Sequence, residues 1–190
     1  TTTSLLDPDL SSEEYTEIAN ALEEVRETLE TADELNNDAE QALEEDQLAE
    51  AAGTEKQAGE AAQEAATKAD DAGLPEPIAE AIEDAKDSAL EAAEATAAAN
   101  DTKDNEATAE ESQNSAEEAV VNASEDIKEA IGRTKEAEAE ARKNALAAKL
   151  GELNRAVDTL ERAAAEAREN ATLLSDCLLY TSPSPRDATL

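Results

Sequence analysis

The chain has 190 residues and a formal net charge of −34, with no His, Met, Trp or Phe and only 1% aromatic residues. Most of its 39% apolar content is alanine, which buries far less area than the ~1.5–3 kcal/mol worth of a Leu or Phe side chain, so a thick globular core is excluded and helices touching along a seam are favoured. The charge excludes electrostatic nucleic-acid binding, which needs Lys and Arg on phosphates, and disfavours anionic membrane surfaces.

The expected fold class is all-α: long acidic coiled-coil helices with a Gly/Pro break and no globular core. Residues 1–10 read as a linker, with Pro8 between two aspartates. A helix start follows. Ser11 can cap and Glu14, three residues on, can reach back to the cap amide, with Leu10 and Tyr15 placed as a hydrophobic staple. From Tyr15 a seam runs through Ile18, Leu22, Val25, Leu29, Ala32, Asn36, Ala39 and Leu43 in steps of three and four. With Tyr15 at heptad position a, Leu22, Leu29, Asn36 and Leu43 also fall at a, and Ile18 and Val25 at d. Leu at a with β-branched residues at d leans toward three or four strands. Asn36 at an a site is read equally as a register-fixing residue and as a tolerated polar one.

Beyond Leu43 the seam fades: residues 44–72 hold one large aliphatic, Leu48, and two helix-weakening glycines, Gly53 and Gly59. One coiled-coil helix is expected over 11–72 and a hinge over 73–77, where Gly73, Pro75 and Pro77 cluster. A second is expected over 78–176, starting with Ile78, Ile82, Ala85 and Ala89. Its middle is weak, because residues 95–119 contain no large aliphatic. Val120, Val121, Ile127 and Ile131 restore apolar character before the most regular stripe in the chain: Leu146, Leu150, Leu153, Val157, Leu160, Ala164, Ala167, Ala171 and Leu174. That alternation of four and three keeps one narrow apolar line on a helix and suits a partner helix.

Residues 177–190 read differently. CLLYTSPSPRD, Cys177 to Asp187, resembles an in-frame translation of a transposase-type sequencing-library adapter, so Cys177 and Tyr180 are expected to carry no biology. With Thr at position 1, the sequence is expected to be an internal fragment.

No reaction centre is expected. The absence of His, and of any Cys but Cys177, excludes zinc sites and His-based nucleophilic catalysis. The glycines are scattered singly and build no phosphate-cradling loop. Carboxylate pairs such as Glu13/Glu14 and Asp70/Asp71 read as solvated helix charges, since a catalytic pair needs an enclosed site to separate its pKa values. No cofactor or metal is implied. Three Asn-x-Ser/Thr sequons, at Asn100, Asn122 and Asn170, are candidate glycosylation sites; Asn170 lies at heptad position g, where a glycan would crowd the stripe.

Two stretches resemble a known family. Glu14 to Arg26 (EYTEIANALEEVR) and Ile78 to Ala89 (IAEAIEDAKDSA) are similar to helices of the laminin long arm, the C-terminal coiled-coil region of laminin chains. The resemblance covers residues 14–176. It implies a non-catalytic glycoprotein segment of the extracellular matrix that assembles with other coiled-coil chains, as a hetero-oligomer of about three strands, in basement membranes and cell adhesion. No nucleic acid and no direct membrane insertion are expected. The alternatives are the cytoplasmic helical rod of a methyl-accepting-chemotaxis-type receptor from a halophile, which suits abundant Glu with little Lys, and a phage or surface fibre segment.

Overall fold

The computed structural model describes residues 6, 10–105 and 108–181, with side chains to residue 176. The side chains of the adapter-like stretch 177–190, and most of the 1–10 linker, lie outside the described residues. Among the described residues the fold is all-α, with four helices in order: α1 (Ser12–Glu44), α2 (Leu48–Asp71), α3 (Glu76–Thr102) and α4 (Ala109–Thr181). Two compact units divide the chain, residues 1–146 and 147–190.

In the first unit each helix runs antiparallel to the next, and α4 returns beside α1. Thr28 of α1 accepts a 2.8 Å hydrogen bond from Lys68 of α2, and Gly59 of α2 lies against Ala89 and Leu90 of α3. Ser88 of α3 donates to Asp126 of α4. Closing the ring, Arg26 meets Glu138 at 3.1 Å and Arg142 meets Glu23 at 2.9 Å. The result is an up-down-up-down arrangement joined by short turns.

Local chemistry explains each boundary. Ser11 caps α1 in a capping box: its side chain accepts from the Glu14 amide at 3.3 Å, and Glu14 accepts from the Ser11 amide at 2.8 Å. That partnership, side chain first and backbone second, holds the Glu14 carboxyl below its ordinary pKa. α1 and α2 both end on a residue in the left-handed region, Asp46 with φ 61° and Gly73 with φ 60°. In each case its own amide and the next one bond backward, Asp46 N–H to Leu43 O at 3.0 Å and Gln47 N–H to Ala42 O at 2.8 Å in the first, Gly73 N–H to Asp70 O at 3.0 Å and Leu74 N–H to Ala69 O at 3.2 Å in the second. This is the Schellman geometry, which satisfies carbonyls the helix leaves open.

The expectation of one helix over 11–72 is therefore corrected. The chain turns at 45–47, where Asp stands in the position that Gly usually fills; Asp tolerates the left-handed region because its short polar side chain bonds locally. The span 78–176 is likewise interrupted, between Thr102 and Ala109. The expectation of no globular core is also corrected. Leu22, Val25 and Leu29 of α1, Ile78 and Ile82 of α3, and Val120 and Ile127 of α4 are buried to 1% exposure or less. Around them sit alanines, and α2 buries Ala51, Ala58, Ala62, Ala65, Ala66 and Ala69 with no large aliphatic among them. Alanine does not thicken a core; it lets four helices close up around a thin one. A Cβ added at Gly59 would stand 3.3 Å from Leu90 Cδ2, which measures how closely α2 and α3 approach.

Candidate assembly surface

The two sequence seams have opposite fates. In the first, Tyr15, Leu22, Val25, Leu29, Ala32, Asn36, Ala39 and Leu43 are buried inside the first unit, and Ile18 is half-buried. In the second, Leu146 at the end of that unit is 72% exposed. Within the second unit, exposure runs from 45% at Val157 to 69% at Leu160, with Leu150, Leu153 and Leu174 between them. Ala164, Ala167 and Ala171 are exposed as well. Every residue from 152 to 176 is exposed, so this part of α4 is a helix with an exposed apolar line. Single exposed leucines are ordinary on protein surfaces, but a contiguous row of them marks an interaction site.

Charge separates the regions too. Residues 10–146 carry 40 acidic and 10 basic side chains, whereas residues 147–176 carry six acidic (Glu152, Asp158, Glu161, Glu166, Glu169, Asp176) and four basic (Lys149, Arg155, Arg162, Arg168). Most of the basic groups on α1 and the first part of α4 are spent on fastening those two helices. Arg26 bonds both Glu30 and Glu138, and these two carboxylates raise its pKa. Lys135 reaches Glu30 at 3.0 Å and holds that carboxyl below its ordinary range. Half-exposed pairs of this kind contribute up to about 1 kcal/mol each.

Two buried polar side chains stand out in the alanine interior. Asn36 donates through Nδ2 to the Val120 carbonyl at 3.2 Å, while its Oδ1 has no partner among the described residues. Glu55 is 0% exposed, and neither of its carboxyl oxygens has one. Burial alone pushes its pKa up to about 8, as expected for a carboxyl with no cation beside it. Glu55 is not among the residues that the heptad spacing singles out. Its signal was legible: Ala51, Glu55, Ala58, Ala62, Ala65 and Ala69 share one helix face by spacing, and a lone Glu in that row is an inward-facing acid.

The sequons lie on helices rather than loops. Asn100 is half-buried in the last turn of α3 and accepts from Lys103 at 3.1 Å. Asn122 and Asn170 are exposed on α4. Ser124, which completes the Asn122 sequon, is buried and accepts from Lys128 at 2.5 Å. A shallow acidic cleft of about 210 Å³ between α3 and α4 is lined by Ser88, Glu91, Ala119, Asn122, Glu125 and Asp126; it offers little of the apolar wall that small-molecule sites use. Among the described residues there is no grouping of three His, Cys, Asp or Glu side chains that could hold a metal ion, and no helix long and apolar enough to cross a membrane. Comparison with known proteins finds no matching family, no matching curated protein and no matching solved structure.

Proposed function

We propose that the chain is a non-catalytic helical assembly module, in which a coiled-coil stripe of α4 packs against a helix of another polypeptide. The observation that carries this reading is the exposed Leu150–Leu174 line at unbroken heptad spacing, on a helix that leaves every neighbouring residue in solvent. Burying such a line on a partner helix removes five large aliphatic side chains from water, each worth about 1.5–3 kcal/mol. The test is a titration of the full chain with a synthetic helical peptide carrying a matching Leu/Val heptad line and balanced charge. Binding to the unaltered chain and its loss in a Leu153→Asp/Leu160→Asp variant are expected. No binding to either would overturn the reading.

The narrower, laminin-type form of the proposal places the module in the extracellular matrix, as one chain of a hetero-oligomer of about three strands. It rests on the residues 14–26 and 78–89. Its strand number came from the first seam, whose apolar residues are engaged within the chain, so it lends no strand number to the stripe. A second reading, a helical rod from a halophile, is favoured by the 40 acidic residues of positions 10–146. Neutralised self-repulsion would then make helix content rise steeply with salt, which circular dichroism across a salt series reads directly.

A further inference from the structure

We infer that α2 is latched by a proton: it stays closed on the first unit while Glu55 is neutral, and it is the first helix to open once Glu55 ionises. The inference is independent of the α4 stripe. Three observations carry it.

The first is where Glu55 sits. It is 0% exposed, neither of its carboxyl oxygens has a hydrogen-bond partner, and no other Asp, Glu, Lys or Arg among the described residues is buried. Ala51, one turn earlier on the same buried face of α2, packs in one cluster with Ala42 and Leu43 of α1, Ala92 and Ala99 of α3, and Ala116, Val120 and Ala123 of α4. A carboxyl in such surroundings keeps its proton, because an unpaired carboxylate gives up its hydration and gains no partner in return.

The second is the charge around it. On the stretches of α1, α3 and α4 that build this cluster, the ionisable groups are Asp38, Glu40 and Glu44, then Glu91 and Glu94, then Glu117 and Glu118. All of them are acids. On α2 itself the neighbouring turns carry Glu50, Glu60 and one base, Lys56, which is exposed and pairs with Glu60 at 3.7 Å. The single base of α1, Arg26, bonds Glu30 and Glu138; that of α3, Lys86, is held by Glu83 and Asp87. The first base of α4, Lys128, is engaged by Ser124. Ionised Glu55 therefore meets repulsion instead of a counter-charge, and carrying it into water relieves both costs.

The third is the weakness of α2. It buries no large aliphatic side chain, whereas α1, α3 and α4 bury Leu22, Ile82 and Ile127. Gly53 and Gly59 lower its helix propensity, and Gln47 at its N-cap makes no side-chain capping bond. By contrast, α1 and α4 are fastened by Arg26–Glu138, Lys135–Glu30 and Arg142–Glu23. A helix with few large apolar contacts lies at the low-stability end of a fold, where local opening starts.

Amide hydrogen exchange of the full chain, read by mass spectrometry and corrected for the intrinsic pH dependence of exchange, tests the proposal between about pH 5.5 and 8. The closed helix holds the Glu55 proton up to about 8 and the open helix only to the ordinary 4.5, so opening releases it throughout this window. Protection of the α2 amides over residues 51–69 should fall by about tenfold per pH unit. At each pH it should also lie at least about tenfold below that of the buried α1 amides, since α2 opens without the rest of the unit. Glu55→Gln, which cannot ionise, should abolish the slope, and Glu55→Ala, which extends the alanine row, should do the same. Protection of α2 equal to that of α1 would mean that α2 opens only with the whole unit and would overturn the proposal. So would a slope that persists in either variant, or the absence of a slope in the unaltered chain.

Discussion

The first unit and the second part of α4 are built from similar residues and end in opposite states. Both carry leucines at steps of three and four. In the first, the line on α1 is covered because the chain turns three times and brings α2, α3 and α4 onto it. In the second, every residue from 152 to 176 is exposed. Heptad spacing thus says that a helix needs cover and leaves open where the cover comes from. The turns settle that, and two of them are Schellman caps fixed by one residue each, Asp46 and Gly73.

The largest expected effect breaks the comparison through pH. Glu55 is pushed up to about 8 from an ordinary value of 4.5. Below the ordinary value the folded and unfolded chains both hold the proton, and stability is full. As pH rises through 4.5 the unfolded chain releases it while the folded chain keeps it until about 8. Unfolding then releases a proton, so stability falls across this window, by something on the order of 5 kcal/mol at 1.36 kcal/mol per pKa unit. The remaining carboxylates push the same way through self-repulsion. The clean measurement is therefore urea denaturation at several pH values for the native chain and Glu55→Gln, which removes the titration and should flatten the slope by the Glu55 share. Equal slopes would refute a buried, proton-holding Glu55. The second unit, fully exposed over 152–176, should show no such slope in its helicity.

Next in size is truncation of one leucine from each region. Leu29→Ala removes a side chain of 0% exposure and should cost the first unit about 2–5 kcal/mol in urea denaturation, the range for buried Leu→Ala. Leu160→Ala, at a position 69% exposed, should change the stability of the dilute chain by no more than about 0.5 kcal/mol. Similar costs at both sites would mean that the stripe is covered in the monomer.

The smallest effect sharpens the picture of α2. Gly53 lies within the helix, and a Cβ there meets nothing within 4 Å. Gly53→Ala should stabilise the first unit by about 0.5–1 kcal/mol, through reduced freedom of the unfolded chain and better helix propensity. An unchanged or lower midpoint would show that α2 does not limit stability.

Particular residues show how far the sequence could be read. Ser11 and Glu14 announced the cap that closes on them, because capping is decided within four residues. The α1 seam was legible because burial follows helical period. The turn at Asp46 was not, since a single Asp in the left-handed region carries none of the composition signal that Gly and Pro give. Glu55 was legible only from its neighbours: its identity says solvent, and its place in a row of alanines says core.

The sequence by itself determined that this chain is helical and acidic and where its apolar lines run, because propensity, capping and periodicity are local properties. The tertiary structure decided which line is satisfied at home and which stays exposed. That depends on turns that reverse the chain and on alanine faces thin enough for four helices to close, which neighbouring residues alone do not encode.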